Sequence, residues 1–373
     1  MATITNLAVL VAWGGFALAF VFGFVANKTN FCTMGAVSDI VNMGSWQRMR
    51  MWLLAIAVAI MGASLLQFTG MVDLTKSIYT GPRLNWLSHI VGGILFGIGM
   101  TLASGCGSKT LIRVGTGNLK SLIVLVFIGI SSYMTLKGLF APLRVYGLDL
   151  VNIDMAKRNL SHQDLPSLLT AWGFGQRQIL ALLCGALISI VMLVFIFKDK
   201  AFRANKDFLL GGIVVGSVVA AGWYVSGHLG YGENPDTLET VFFGTNSRAA
   251  ESFTFIAPIA YSLEMLMLWT DKSLIVTFGI ASTIGVILGS LAYALLSKTF
   301  RWENFASPAD LLNHIAGGAL MGFGGVCALG CTVGQGITGI STLAIGSFIT
   351  FAAILAGSAA TMKYQYWCIA REN

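Results

Sequence analysis

Residues 87–106 read LSHIVGGILFGIGMTLASGC, and residues 312–331 read LNHIAGGALMGFGGVCALGC. The two runs start 225 positions apart (312 − 87) and align without a gap. Eleven of the twenty positions are identical: Leu87/Leu312, His89/His314, Ile90/Ile315, Gly92/Gly317, Gly93/Gly318, Leu95/Leu320, Gly97/Gly322, Gly99/Gly324, Ala103/Ala328, Gly105/Gly330 and Cys106/Cys331. Each run is apolar, of helix length, rich in glycine, and ends in Gly-Cys. Two similar halves, each delivering one thiol to a matching place, imply a pseudo-symmetric centre with a path through it.

Composition fixes the solvent. The chain has 373 residues, 56% hydrophobic and only 10% charged, where soluble domains carry about 25% charge. Apolar runs near 7–25, 51–70, 86–104, 121–141, 178–197, 209–228, 273–296, 310–329 and 343–361 are long enough to cross a hydrocarbon core of about 30 Å. The lipid bilayer is therefore the first partner. No basic residue precedes the run Leu7–Val25, which reads as the first membrane helix and not as a cleaved signal. Shorter or more polar apolar pieces at 30–45, 107–118, 252–269 and 332–341 read as half-helices or re-entrant segments around a cavity. The fold class is all-α integral membrane, with two pseudo-symmetric helical repeats and short half-helices or re-entrant segments; the family resemblance drawn below implies that the repeats are inverted and that the short pieces meet at the membrane centre.

The organisation divides at 1–140 and 209–373, joined by a polar loop, a linking helix and a basic link over 141–208. That link carries Lys198, Lys200, Arg203 and Lys206 against Asp199 and Asp207, so it should be cytoplasmic. The loop with Glu233, Asp236, Glu239 and Glu251 against Arg248 then lies outside, as does 141–175. Net charge is +7; in a membrane chain it reports basic cytoplasmic loops and not a nucleic acid partner.

Of six cysteines, Cys184, Cys327 and Cys368 stand in contexts that ask only for a small hydrophobe. Cys106 and Cys331 follow Gly105 and Gly330, and the small polar stretches after them, Gly107-Ser108-Lys109-Thr110 and Thr332-Val333-Gly334-Gln335, can start new helices. A cysteine there sits at a helix N-terminus, where free N–H groups and the dipole favour anions and a thiolate. Cys32 opens an early segment, Asn30-Phe31-Cys32-Thr33. Thr254 opens its counterpart, Ser252-Phe253-Thr254-Phe255. A polarizable thiol beside an anion-favouring helix end suits a soft, sulfur-bearing anion. Lys109 is a candidate to support it, and Asp39, Glu264 and Lys137 are ionisable groups within apolar pieces.

Three thiols also suit a soft metal or a thiol-redox enzyme. Against these, the sequence has no C-x-x-C, no nucleotide-binding loop and no H-E-x-x-H. His89 and His314 precede their cysteines by 17 residues (106 − 89 and 331 − 314), about 25 Å along a helix, and are expected at the far membrane faces. No cofactor and no resident metal are expected, and the chain is not read as an enzyme.

The repeated G-G-x-x-x-G-x-G-x5-G-C, with Asn30-Phe31-Cys32-Thr33-Met34-Gly35-Ala36, resembles the YeeE/YedE family of bacterial inner-membrane proteins. The resemblance implies thiosulfate uptake, or uptake of another sulfur or selenium compound, by an inverted-repeat fold. It implies that Cys32, Cys106 and Cys331 line a narrow path and pass the anion on by transient S–H···S hydrogen bonds. It also implies a small cytoplasmic sulfur carrier of the TusA type as acceptor. Where some relatives have a fourth cysteine, this chain has Thr254.

Overall fold

The structure, a computed structural model, describes residues 2–158, 160–234, 237–305 and 307–372. Asp236, counted above among the outer acids, lies outside them. The first half contains α1 (Ala2–Lys28), α2 (Thr33–Met43), α3 (Gln47–Phe68), α4 (Trp86–Leu102), α5 (Gly107–Gly115) and α6 (Leu119–Leu136). A connection follows with α7 (Ala141–Leu143), α8 (Leu165–Ala171), α9 (Arg177–Phe197) and α10 (Lys200–Ala204). The second half has α11 (Lys206–Tyr224), α12 (Ile256–Met267), α13 (Phe278–Leu296), α14 (Pro308–Cys327) and α15 (Ile345–Glu372). Residues 332–341 form a further helical segment with a π-helical middle, Gly334–Gly339.

Eight helices among the described residues are long and apolar enough to cross a membrane, and the chain is a multi-pass membrane protein. The four short pieces of the sequence appear as α2, α5, α12 and 332–341. Their starts are set locally. The Asn118 side chain accepts from the Ser121 amide at 2.8 Å to cap α6. Ser307 accepts from Asp310 at 3.2 Å to cap α14, with Pro308 in its first turn.

The packing pairs elements of one half with elements of the other. α1 lies along α13, α3 along α11, α4 against α14 and α15, and α14 against α6. The α4–α14 contact runs antiparallel, Gly92 facing Gly324 and Gly99 facing Gly317. Bare glycines let backbones touch where lipid supplies no hydrophobic drive for association.

At one end lie the basic link, residues 44–47 and the turns 116–120 and 301–310, tied by Arg50–Asp199 at 3.4 Å and Lys120–Asp310 at 2.7 Å. At the other end the polar stretch 141–175 packs over neighbouring loops. Its strand β2 (Ile153–Asp154) pairs with β1 (Arg83–Leu84), and the Leu165 amide donates to the Leu343 carbonyl at 3.1 Å. A second antiparallel pair, β3 (Tyr231–Glu233) with β4 (Thr240–Phe242), stands there too.

Candidate functional site

Three helix breaks built on one plan carry the three thiols. α1 ends with Asn30 in the left-handed region (φ 52°), with Phe31 N–H donating to Ala26 and Asn30 N–H to Asn27. α4 ends with Ser104 (φ 56°), with Gly105 N–H donating to Met100 and Ser104 N–H to Thr101. α14 ends with Leu329 (φ 58°), with Gly330 N–H donating to Gly325 and Leu329 N–H to Val326. Each is a Schellman cap. In each, the cysteine comes two residues after the left-handed one, and the next helical segment begins directly behind it.

The left-handed residue of each cap stands one position before Gly105 and Gly330, at Ser104 and Leu329, and Gly330 itself has φ 159°, a conformation that residues with a side chain rarely adopt. At the third break no glycine precedes the cysteine.

The thiols therefore face helix N-termini. Cys32 Sγ accepts from the Gly35 amide at 3.3 Å, and Cys331 Sγ from the Gly334 amide at 3.3 Å. The Cys331 sulfur also meets the amides of Phe255 and Val333, so the start of α12 and the start of 332–341 converge on it. Cys106 Sγ lies 3.3 Å from Ser108 Oγ. Cys106 is within electrostatic reach of both Cys32 and Cys331, which makes it the middle member of the three. Cys32 is 6% exposed and the other two 0%.

Lys109, one turn into α5, is buried and donates to Asn30 Oδ1 at 2.7 Å. It stands within electrostatic reach of Cys32, Cys106, Arg113 and Arg48. Arg113 in turn donates to the Ser104 carbonyl at 2.7 Å, tying down the break before Cys106. Thr254 packs against Gly334 beside Cys331, and its side chain is hydrogen-bonded to Tyr79. Thr332, directly after Cys331, is fully buried and its hydroxyl has no hydrogen-bond partner. The same is true of Thr33, directly after Cys32.

Phe31 stacks on Trp52 at 4.5 Å near the first thiol, and Phe22 meets Phe255 at 5.6 Å near the third. The surroundings are thus apolar walls with a few hydroxyl and amide donors.

The ionisable groups inside apolar pieces separate into two kinds. Asp39 pairs with Arg48 at 3.2 Å, and Glu264 accepts from Tyr133 at 2.6 Å and meets Lys137 at 3.5 Å, so both carboxylates act as ties between elements. The histidines stand near the starts of α4 and α14, at opposite ends of the molecule. Each is far from the cysteine of its own half, but antiparallel packing brings His89 beside the Ala328 carbonyl, three residues before Cys331. Its Nδ1 is 2.7 Å from Thr350 Oγ1. His314 meets the Asp310 carbonyl at 2.7 Å and lines a cavity with Thr101, Leu102 and Ser104.

Sequence reasoning missed Thr33, Arg113, Tyr79, Arg144 and Glu251. Arg113 had a signal, standing four residues after Lys109 on the same helix face. Arg144 and Glu251 had none, being single charges in polar loops.

The family described as sulphur transport matches residues 28–360. The chain belongs to that family, known also as YeeE/YedE. It is a membrane transporter of sulfur species, not an enzyme. The chain is similar to a thiosulfate transporter TsuA of Spirochaeta thermophila, 24% identical over 348 residues that cover 90% of this chain and 94% of the relative. It is similar as well to a thiosulfate transporter TsuA of Escherichia coli K12, 24% identical over 333 residues covering 84% and 83%.

Proposed function

We propose that this chain carries thiosulfate, or a closely related small sulfur anion, across the bacterial inner membrane along a path lined by Cys331, Cys106 and Cys32. The observation that supports the reading is the repeated construction of the three breaks, each of which sets a thiol at the start of a helical segment, with backbone amides on the Cys32 and Cys331 sulfurs. The names of the two relatives support thiosulfate as the substrate.

In this reading the anion passes between neutral thiols by S–H···S hydrogen bonds. Such bonds are weak, and weak sequential sites let an ion leave as readily as it enters. Gly105 and Gly330 keep the backbone before each thiol free of a side chain. Thr254 and Thr332 donate hydroxyls to the oxygen end of the anion near Cys331. Lys109 balances the charge between Cys106 and Cys32.

The two halves, 1–140 and 209–373, act as an inverted repeat. The reciprocal contacts Gly92–Gly324 and Gly99–Gly317 support this, because the 225-residue offset converts one pair into the other. The end with Lys198, Lys200, Arg203 and Lys206 is cytoplasmic by the positive-inside rule, and a TusA-like carrier would receive the sulfur there.

The test is labelled-thiosulfate uptake by cells without their own thiosulfate import, complemented with this chain or with Cys106→Ala or Cys331→Ala. Uptake by the parent and its loss in both variants is the expected result. No uptake by a parent chain present in the membrane would refute the substrate, and uptake surviving in both variants would return the thiols to packing.

A further inference from the structure

Next to Cys331, at the end opposite the basic link, is a cavity of about 160 Å³ whose lining includes Thr254, Gly330, Arg144, Tyr261, Ser247 and Glu251. Two opposite charges share it without pairing. Arg144 comes from the turn after α7; its Nε is buried without a hydrogen-bond partner and forms a long ion pair with Asp149 at 3.8 Å, not with Glu251. Glu251 comes from the extended segment leading to Thr254. Its Oε2 accepts from Ser247 Oγ at 2.9 Å, and among the described residues it has no ion-pair partner.

The titratable groups facing Glu251 are Tyr79, from the loop after α3, and Tyr261, from α12. Arg144 acts on Tyr261 from across the cavity. Tyr79 also reaches Thr254 and Cys331, which links the cavity to the thiol of the α14 break.

A dianion beside an ionised carboxylate in a desolvated cavity is repelled, whereas a neutral carboxyl donates a hydrogen bond to it. We propose that this cavity is the outer receiving site for the anion and that Glu251 is its proton-linked gate: the anion binds only when the Glu251 carboxyl is protonated, so one proton enters the site with each anion. The proposal rests on the transport reading above. The balance is simple: carboxylate, proton and anion combine to give a carboxylic acid hydrogen-bonded to the anion, with Arg144, paired with Asp149 at 3.8 Å, as the cation across the cavity. The local chemistry suits this, since burial pushes the Glu251 carboxyl up to about 7 and no neighbouring cation opposes the shift.

The test is calorimetric titration of the purified protein with sodium thiosulfate in two buffers of different ionisation enthalpy, at acid and at alkaline pH. The parent should take up about one proton per thiosulfate at alkaline pH and none at acid pH. Its affinity should fall about tenfold per pH unit above the carboxyl's pKa. Glu251→Gln should bind with no proton uptake and with an affinity independent of pH. Binding by the parent without proton uptake at alkaline pH overturns the proposal, as does proton uptake that persists in Glu251→Gln. The parent comparison decides the matter even where the variant does not fold. Thiosulfate binding absent at every pH would overturn the transport reading as well, an outcome distinct from binding without protons.

Discussion

Gly92 and Gly324 meet backbone to backbone where α4 crosses α14. A Cβ on Gly92 would stand 2.7 Å from the Gly324 carbonyl oxygen, and a Cβ on Gly324 would stand 2.5 Å from the Gly92 carbonyl oxygen. Gly99 and Gly317 repeat the contact, 2.6 Å in each direction. These are distances that real side chains do not tolerate, and the neighbours are backbone, which cannot turn aside. The crossing fixes the ends of α4 and α14, and with them the positions of Cys106 and Cys331.

The crossing predicts that Gly92→Val or Gly317→Val destabilises the protein by about 1–3 kcal/mol or more, seen as a lower melting temperature in detergent and a lower yield. Gly81→Ala, where a Cβ meets nothing within 4 Å, should leave both unchanged. Equal tolerance at the two kinds of site would mean that the helices do not approach this closely.

How much of this was open to a reader of the sequence depends on the kind of signal. The spans, the short pieces and the paired thiols were legible, because apolar length and the duplicated G-G-x-x-x-G-x-G-x5-G-C are local patterns. The common plan of the three breaks was not. Asn30 is a residue type that accepts the left-handed region, but Ser104 and Leu329 adopt it only because the cap and the packing require it. The cavity beside Cys331 was hidden for another reason: Arg144 and Glu251 are 107 positions apart (251 − 144), and only the fold of the polar stretch 141–175 joins them. The spacing set each histidine away from the cysteine of its own half but could not show the antiparallel neighbour that brings His89 beside the Ala328 carbonyl.

The partnerless hydroxyls of Thr33 and Thr332 predict opposite effects on stability and transport. A buried hydroxyl without a partner costs about 1–3 kcal/mol. Thr33→Val and Thr332→Val keep the shape and remove that cost, so the melting temperature should hold or rise. Thiosulfate uptake should fall, because the donor has gone. Lower stability together with lower uptake would instead make both threonines structural.

Lys109 and Asn30 are joined at 2.7 Å across the break that carries Cys32. Lys109→Met removes the cation between two thiols and leaves the Asn30 carbonyl unpaired. Uptake should drop about tenfold or more, the size expected for one charged hydrogen bond, and Lys109→Arg should recover part of it. Unchanged uptake in Lys109→Met would remove this residue from the path.

Glu251 also marks the pH dependence of stability. Its carboxyl ionises near 4.5 when exposed and near 7 in the fold, because burial opposes the charge. The folded state therefore keeps a proton that the unfolded state has lost. Stability should be highest below 4.5 and fall as pH rises through 7. Melting curves of the parent and Glu251→Gln should agree at acid pH and diverge at alkaline pH, with the variant the more stable. A constant difference across the range would contradict the assignment.

The most direct measurement is thiosulfate uptake by the purified protein in liposomes, for the parent and for Cys32→Ala, Cys106→Ala and Cys331→Ala singly. A continuous thiol path predicts uptake by the parent and a large loss in each variant, with normal folding. Parent-like rates in all three variants would contradict it.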